Sequence, residues 1–558
     1  LLEPPLDEVP PAEEPVVEAT SVEVAPPAEV EPGLEETPPG EEPVVEEPPL
    51  EEALPAETPV EEVPGEEPVL EAPVEELAAE APVVLVDETG EPLTLATEET
   101  AELLETGDPY FLSGTMQYIW LYDSGPEDEC AAATPIPGYT PVCNLVAAGG
   151  DIFAPILTEI RGGKKPNDGK IYVEAGTYYG YVDIDGITYP TTLGLLKGLI
   201  GLDGSDVTTI NGDVEVQGVT GGFTLSGFTI NGNSTNDNPA VSFSDNAGTV
   251  TLSDLDVRDT KSAGIVVQNQ TGAVVLSNVE SSDNDFLGAY IENDLGTYPV
   301  TVTNAAFNGN DPTHDDAVLE NGYGLVIVSK GAVTLTNVSA TGNSTHGVVV
   351  NQAGAVTLTD VDASGNGWLG GLIKNDGGVY PVTITNAAFD DNDPGFDNDD
   401  YGFGLSVTSK GAVTINGVSA SRNNTRGAQI STNGAVKVSN CSCVGTDKND
   451  DTGSNRLDIF VNSVAAVTLE NVQAASNGAE GILIRSGGAV SARNVIAFWN
   501  DTHGMYIHNA GSFVPTTVSI YGSSFPVNDV NGLYIEAKGN VLLSGIYNTS
   551  GNGGNGVI

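Results

Sequence analysis

The strongest constraint on the fold is a short apolar segment that recurs from about residue 250 to the end of the chain. It reads Gly331-Ala-Val-Thr-Leu-Thr-Asn-Val338 in one copy and Gly354-Ala-Val-Thr-Leu-Thr-Asp-Val361 in the next. Its first valine returns roughly every 23 to 33 residues, a period typical of solenoid repeats. The valines that mark the copies are Val250, Val274, Val300, Val333, Val356, Val382, Val413, Val436, Val467, Val490, Val518 and Val541.

A second unit alternates with the first and begins at a glycine, as in Gly324-Leu-Val-Ile-Val and Gly347-Val-Val-Val. Short β-branched runs with a period of two predict strands. Strands this short are not stable alone, so they must pair between coils stacked about 4.8 Å apart. The prediction is about a dozen coils with two strands each, separated by polar turns such as 364–366 and 421–424. Gly and Asn are expected at corners with positive φ.

A longer duplication is superimposed on this repeat, because residues 272–310 align with residues 354–392. Phe286 matches Trp368 and Tyr298 matches Tyr380 in this alignment. The duplicated block is predicted to contain about three coils and one long loop. A β-propeller is disfavoured, since its units are longer and no Trp-Asp signature occurs.

The chain is predicted to have three parts. Residues 1–107 are a Pro/Glu-rich acidic tract that is expected to form a disordered stalk or linker. Residues 108–170 are predicted to cap the first coil, with a Cys130–Cys143 disulfide and a short helix over 151–160 that has Asp151 as its N-cap. Residues 171–558 form the solenoid. The final residues 555–558 resemble the start of another strand, so we expect the sequence to be truncated within a repeat.

The start of the solenoid carries a family resemblance. Ile171-Tyr-Val-Glu-Ala-Gly-Thr-Tyr178, followed by Val182-Asp-Ile184, resembles the first coil of pectate-lyase-like, right-handed parallel β-helix repeat proteins. The resemblance implies an all-β, right-handed parallel β-helix with an N-terminal cap, preceded by the disordered tail. That family includes polysaccharide lyases, hydrolases, epimerases, phage tailspikes and large bacterial surface proteins, so the fold alone does not fix a function.

Charge and composition restrict the partners and the location. The net charge is −62, and no Lys or Arg precedes Arg161. Such a chain repels nucleic acid and anionic lipid surfaces, and no apolar stretch is long enough to span a membrane. The four cysteines and the low lysine content fit an oxidising environment. We therefore predict a secreted or bacterial cell-surface protein whose signal and anchor are not part of this sequence.

The histidines do not predict a catalytic site. His346 and His503 lie in Thr-His-Gly segments, but the repeat places Arg426 and Glu480 at the equivalent positions. A position that accepts His, Arg or Glu is interpreted as an exposed corner. Cys441 and Cys443 have no partner spacing that is typical of zinc sites. No catalytic residue and no required cofactor are predicted.

Two acidic loops on the duplicated blocks contain the hard oxygen ligands that Ca²⁺ prefers. Solvated polar turns are the alternative interpretation, so Ca²⁺ is an optional ligand rather than a required one. The candidate ligands are Asp311, Asp315 and Asp316 in the first loop and Asp390, Asp391, Asp393, Asp397, Asp399 and Asp400 in the second.

Aromatic residues near the same loops are candidates for stacking on sugar rings: Phe286, Trp368, Tyr298 and Tyr380. The alternative is that these rings pack the loops onto the solenoid. The leading functional prediction is a non-catalytic structural or adhesive surface protein that binds polysaccharides or cell-surface glycans. One alternative is a polysaccharide lyase or hydrolase, which predicts a concave strip with at least three carboxylates and a basic residue. The other is a self-associating subunit of an extracellular filament or sheath.

Overall fold

The computed structural model describes residues 153–163, 169–173, 175–233, 237–311, 322–352, 354–392, 402–445, 457–509 and 514–558. The acidic tract 1–107, Asp151 and the cysteines Cys130 and Cys143 lie outside these residues, so the predictions made for them are not addressed by the structure. Within the described part, one helix precedes a solenoid of strands that pair in parallel in two sheets.

Each complete coil contributes to both sheets. The described part of the chain begins with helix α1 (Phe153–Arg161), and a short 3-10 turn covers Leu193–Leu195. Sheet 1 has 18 described strands: β1 (Lys170–Val173), β2 (Gly176–Tyr179), β4 (Gly198–Gly201), β5 (Thr208–Asn211), β7 (Phe223–Asn231), β9 (Val250–Arg258), β11 (Val274–Ser281), β13 (Val300–Ala306), β15 (Val333–Ser339), β17 (Val356–Asp362), β19 (Val382–Thr385), β21 (Val413–Asn416), β23 (Val436–Val444), β25 (Val467–Ala475), β27 (Val490–Arg493), β28 (Ile496–Phe498), β30 (Val518–Tyr521) and β32 (Val541–Ser544).

Sheet 2 has 14 described strands, one for each complete coil. They are β3 (Val182–Asp185), β6 (Val214–Gln217), β8 (Val241–Ser244), β10 (Ala263–Gln268), β12 (Leu287–Asn293), β14 (Tyr323–Ser329), β16 (His346–Asn351), β18 (Leu369–Asn375), β20 (Phe403–Ser409), β22 (Arg426–Thr432), β24 (Leu457–Ser463), β26 (Ile482–Ser486), β29 (Met505–Asn509) and β31 (Leu533–Ala537). Most coils have one strand in each sheet, as predicted, but in three coils the sheet 1 segment is divided into two strands: β1 and β2, β4 and β5, and β27 and β28.

The repeating valines set the register of sheet 1. From Val250 to Val541, each marker valine pairs with the equivalent valine of the next coil. The valines from Val250 to Val518 are almost completely buried, whereas Val541 in the last described coil is 43% exposed. Burial of a valine side chain stabilises the fold by about 1.5–3 kcal/mol. The stacked valines therefore form one wall of a continuous apolar interior.

Most strands of sheet 1 bend at a residue in the left-handed conformation. Asn278, Asn304 and Asn337 have φ of 53°, 51° and 52°, and they lie at equivalent positions of successive coils. Their amides form a surface ladder: Asn337 Nδ2 donates to Asn304 Oδ1 (2.9 Å), and Asn304 Nδ2 donates to Asn278 Oδ1 (3.3 Å). Asn tolerates this backbone better than most residues, so the prediction of Asn at positive-φ corners is confirmed here.

A second asparagine ladder lies inside the solenoid, which the sequence analysis did not predict. Asn310, Asn343 and Asn366 are at most 1% exposed. Asn310 Nδ2 donates to Asn343 Oδ1 (2.9 Å), and Asn343 Nδ2 donates to Asn366 Oδ1 (3.0 Å). The ladder continues through Asn392 and Asn423. The polar turns 364–366 and 421–424 lie between the strands as predicted, but Asn366 and Asn423 turn inward and bond the coils together.

The interior ladder explains the glycines that begin the second repeat unit. A Cβ on Gly347 would lie 2.7 Å from Asn366 Nδ2, and one on Gly404 would lie 2.5 Å from Asn423 Nδ2. Neither glycine has positive φ, and each Cβ would also lie 2.6 or 2.7 Å from two backbone carbonyl oxygens. Close packing against the backbone and the ladder, rather than a left-handed conformation, therefore favours glycine here. Asp458 occupies this position in β24 and is fully buried. Its carboxylate accepts a hydrogen bond from Asn477 Nδ2 and so takes part in the ladder itself.

Helix α1 confirms the short helix that was predicted near 151–160. Phe153, Ile156, Leu157 and Ile160 on one face are buried in the same core as the coils. The Phe153 ring lies 6.4 Å from the ring of Tyr178, between centroids, and Arg161 forms a 2.8 Å ion pair with Asp183. This end of the apolar interior is therefore covered by the helix.

We predict that Asn343→Ala strongly destabilises the solenoid. Asn343 Oδ1 accepts hydrogen bonds from the backbone N–H and from the side-chain amide of Asn310, and both donors are buried. Each buried donor left without an acceptor costs about 1–3 kcal/mol. The measurement is the denaturant midpoint of unfolding followed by circular dichroism.

Asn416→Ala is the matched control for this variant. Asn416 Oδ1 also accepts two hydrogen bonds, from Ser439 Oγ and Asn440 Nδ2, but it is half-buried at the outer surface. Water can replace it there, so a small shift is expected. Equal shifts for the two variants would contradict the role given to the interior ladder.

Candidate functional site

A groove of about 540 Å³ runs along the outer surface of sheet 1, beside the bend of the strands. It extends from β9 to β17, five consecutive coils, which is a length of about 20 Å. We call it the acidic groove. It is lined by Ser205, Asp206, Leu255, Asp256, Asn278, Val279, Glu280, Asn304, Ala305, Ala306, Asn337, Val338, Ser339, Asp360 and Asp362.

The carboxylates of the groove come from different coils. Asp256 and Glu280 pair in register on β9 and β11, so their Cα atoms are about 4.8 Å apart. Residues that pair from one coil to the next form a column along the solenoid. Asp362 on β17 lies in the same column as Asp256 and Glu280, and Ala306 and Ser339 separate it from Glu280. Arg258 forms a 2.6 Å ion pair with Asp256. More than three carboxylates line the groove, but Arg258 is not among its lining residues. The groove therefore meets the carboxylate part of the condition that the sequence analysis set for an enzyme, and the basic residue lies beside it.

Asp256 has the most perturbed environment in the groove. Burial raises the pKa of this carboxyl group, and the nearby charges of Asp259 and Asp206 act in the same direction, whereas Arg258 opposes them. Glu280, its neighbour on the next coil, is exposed. Two adjacent carboxyl groups in different environments can have different pKa values, so that one can act as a general acid and the other as a base.

A second depression, of about 690 Å³, lies near the first coils. Tyr179 and Tyr181 on its surface are 41% and 42% exposed. Tyr179 shares a column with Asn211, Asn231 and Arg258, so this depression leads towards the acidic groove. The sequence analysis missed it, although the alternation in Gly-Thr-Tyr-Tyr-Gly-Tyr does turn Tyr178 inward and Tyr179 outward.

The four aromatic residues predicted to stack on sugars are not brought together. Phe286 and Trp368 lie next to the first residues of β12 and β18, whereas Tyr298 and Tyr380 precede β13 and β19 at the other edge of the coils. The Tyr298 and Tyr380 rings lie close to Gly296 and Gly378 of their own loops. None of the four lines the acidic groove. Tyr298 and Tyr380 are 42% and 50% exposed, so stacking on sugars and packing of the loops both stay open for them.

The candidate calcium ligands are only partly described. Asp311 accepts a 2.8 Å hydrogen bond from Ser344 Oγ, Asp390 accepts one from Ser419 Oγ, and Asp391 pairs with Arg422. Asp315, Asp316, Asp393, Asp397, Asp399 and Asp400 lie outside the described residues. In the described part of the chain, no three His, Cys, Asp or Glu side chains are grouped to hold a metal ion. A calcium site in the two loops stays a prediction.

His346 is not at an exposed corner, contrary to the sequence analysis. It is 7% exposed and stacks on Tyr323 with 4.9 Å between ring centroids, while Trp368 lies 5.5 Å away. The equivalent positions of other coils hold Leu287, Leu369 and Arg426. Side chains at this position therefore pack against each other from coil to coil, and flat or apolar groups fit there. Burial, and secondarily Lys374, lowers the pKa of His346 to about 4.

The paired cysteines are buried thiols. The sulfur atoms of Cys441 and Cys443 are 3.1 Å apart in the interior beneath β23. The contact with Cys441 and burial raise the pKa of the Cys443 thiol well above its usual value. A thiol that stays protonated is a poor nucleophile.

Among the helices that the structure describes, none is long and apolar enough to cross a membrane.

Comparison with known proteins identifies the class of fold. Residues 239–402 and 288–455 match the model of a family described as a right handed beta helix region. Together with the parallel pairing of all described strands, this match supports a right-handed parallel β-helix as the fold of the described solenoid. The fold class predicted from the sequence is thereby confirmed.

The solved structures that this chain matches are only distantly similar to it. Pectate lyase Pel9A is 17% identical, with a TM-score of 0.35 over 49% of this chain and 71% of its own. The A-module of the Azotobacter vinelandii mannuronan C-5 epimerase AlgE6 is 16% identical, with a TM-score of 0.38 over 72% and 95%. The catalytic unit of a Streptomyces thermodiastaticus GH87 α-1,3-glucanase is 13% identical, with a TM-score of 0.35 over 72% and 66%. No curated protein matches the sequence significantly.

We predict that the imidazole of His346 titrates near pH 4, because its charged form is desolvated and repelled by Lys374. Since the folded-state pKa lies below that of the unfolded chain, the folded state is fully favoured above about pH 6.5 and loses stability as the pH falls towards 4. The measurement is a titration by NMR with labelled histidine. Lys374→Met should raise the pKa slightly but leave it below 6.5, and an unshifted pKa in the unmodified protein would refute the burial.

Proposed function

We propose that the protein is an extracellular or cell-surface β-helix that binds a polysaccharide along the acidic groove. The observation that carries the proposal is the groove itself, an open channel across five coils whose walls offer carboxylate and amide groups. A sugar chain requires many hydrogen-bond acceptors and donors in a row, and side chains from successive coils supply them at a regular spacing.

The wall of the groove is fixed before any ligand arrives. Asn278, Asn304 and Asn337 are held by amide-to-amide hydrogen bonds, so their rotamers are already ordered. Pre-organised polar groups bind at a lower entropic cost than mobile side chains do. The exposed rings of Tyr179 and Tyr181 add two surfaces suited to stacking on sugar rings at one end of the same strip.

Charge selects the class of polysaccharide. The groove holds Asp206, Asp256, Glu280, Asp360 and Asp362, and Arg258 beside it is already paired with Asp256. The whole chain carries a net charge of −62. An acidic polymer would be repelled both at long range and in the groove. The ligand we propose is therefore a neutral glycan rather than a pectate-like or alginate-like polymer.

We predict that Ala306→Tyr abolishes glycan binding, because Ala306 lies in the middle of the groove and a tyrosine side chain would fill it. Binding is measured by affinity electrophoresis in gels that contain laminarin, dextran, xylan, polygalacturonate or alginate. Retardation is expected with at least one of the three neutral polymers and with neither acidic polymer.

Ala388→Tyr is the matched control. Ala388 continues the column of Ala306 and Asp362 and is equally half-buried, but it lies outside the groove. Its binding should equal that of the unmodified protein. Retention of binding by Ala306→Tyr, or preferential binding of the acidic polymers, would rule the proposal out.

Hydrolysis of the bound glycan is a second candidate function, and Asp256 is the observation that favours it. A carboxyl group with a raised pKa is suited to protonate a glycosidic oxygen, while the carboxylate of Glu280 on the neighbouring coil is suited to act as base or nucleophile. Such a pair distinguishes a hydrolase from an adhesive protein that uses the same groove for binding only.

If the protein is a hydrolase, Asp256→Asn should lower the rate of reducing-end release about 10²–10⁴-fold, which is the usual contribution of a general acid. The rate of the unmodified enzyme should fall as the pH rises through the pKa of Asp256. Asp362→Asn, farther along the same column, should change the rate much less. Binding without any release of reducing ends at acidic or neutral pH would leave only the adhesive function.

A further inference from the structure

The outer face of sheet 1 also carries a regular array of threonines, separate from the acidic groove. Four consecutive coils contribute a Thr-x-Thr pair, beginning at Thr301, Thr334, Thr357 and Thr383. We call these four pairs the threonine face. They lie on β13, β15, β17 and β19, before the bend at which the groove begins.

Strand pairing aligns the threonines into two straight columns. Thr301 pairs with Thr334, Thr334 with Thr357, and Thr357 with Thr383, and the second residues of the pairs follow the same register. Neighbouring coils are about 4.8 Å apart, and alternate residues along a strand are about 6.6 Å apart. The face is therefore a two-dimensional lattice of hydroxyl and methyl groups with nearly constant repeats.

The hydroxyl groups of this lattice are not used by the protein. Thr301, Thr334 and their equivalents are half-buried at the surface, and their hydroxyl groups make no hydrogen bond to any residue that the structure describes. The asparagines at the adjacent bend behave differently, since their amides bond to each other. The threonine hydroxyls thus remain available to water molecules, at positions that the backbone fixes.

The threonine face is uncharged on the side away from the bend. The outward positions just before the pairs are taken by Pro299, Ala332, Ala355 and Pro381, all exposed or half-exposed. On the other side the face borders the bend, where Asp360 follows Thr359 and the acidic groove begins. Thr414 extends one column by a coil, and the array ends at Lys437 in the next. The four threonine pairs themselves therefore form a strip without charged side chains.

Threonine has a high strand propensity, which alone would place some threonines on any sheet. Sheet 2 of the same coils tests this explanation, because it has the same strand geometry. Its outward residues are Val326, Val349 and Leu372 in one column, and the next column includes Lys374. Propensity therefore does not account for an array of threonine alone on one of two equivalent faces.

We propose that the threonine face binds ice. Water that the hydroxyl groups hold at these regular positions can join an ice lattice, while the methyl groups fill the gaps between the water molecules. A glycan is a poorer occupant, since the face has neither an aromatic ring nor a carboxylate. A second copy of this strongly acidic chain would be repelled.

The test uses the full chain and two assays, partition into a slowly growing ice hemisphere and the thermal hysteresis of a single ice crystal. The unmodified protein is expected to enter the ice and to shape the crystal. Thr336→Tyr combined with Thr359→Tyr should lose both activities, because two bulky rings in the centre of the lattice prevent close contact. Thr357→Lys, which places a charge there, should lose most of them.

Thr408→Tyr is the matched control, because Thr408 is an exposed threonine on sheet 2. It should keep full activity. Circular dichroism establishes that each variant is folded. Exclusion of the unmodified protein from ice to the same extent as an unrelated acidic protein would overturn the proposal. Full activity in both folded variants of the threonine face would also overturn it.

Discussion

The structure depends on the pairing of each strand with the equivalent strand of the next coil. Because the pairing is parallel and in register, identical residues stack on identical residues, as the valine column from Val250 to Val518 shows. A side chain that packs well against its own copy is thus favoured in every coil. The same rule produces apolar columns inside and amide ladders at the corners.

Stacking also determines how polar groups are accommodated in the interior. An isolated buried asparagine would leave several hydrogen-bonding groups unsatisfied, whereas Asn343 bonds to Asn310 on one side and to Asn366 on the other. The ladder has a steric requirement, which is met by glycines such as Gly347. Where the glycine is replaced by Asp458, the new carboxylate bonds to Asn477 and the ladder continues. The core is therefore a cooperative unit rather than a set of separate turns.

The outward positions carry no such constraint, and function can be placed on them. One column of sheet 1 holds Asp256, Glu280, Ala306, Ser339 and Asp362 in successive coils without any change in the backbone beneath. The acidic groove and the threonine face lie on the same strands, on the two sides of the bend. A single scaffold thus presents a charged channel and an uncharged lattice next to each other.

The sequence alone determined the parallel β-helix, the two strands of most coils and the register, because a column that stacks on itself must repeat in the sequence. It did not reveal that Asn366 and His346 are buried, since a polar residue near a turn looks the same whether it faces water or a copy of itself. Nor did it reveal the acidic groove. Asp256, Glu280 and Asp362 each follow a marker valine by six residues, but the coils between them carry Ala306 and Ser339 at that position, so no repeated acidic pattern marks the column. Only the tertiary structure shows that the loop with Asp206 lies beside this column and that the surface there is concave, because the shape of the surface depends on how the coils wind and not on any one local segment.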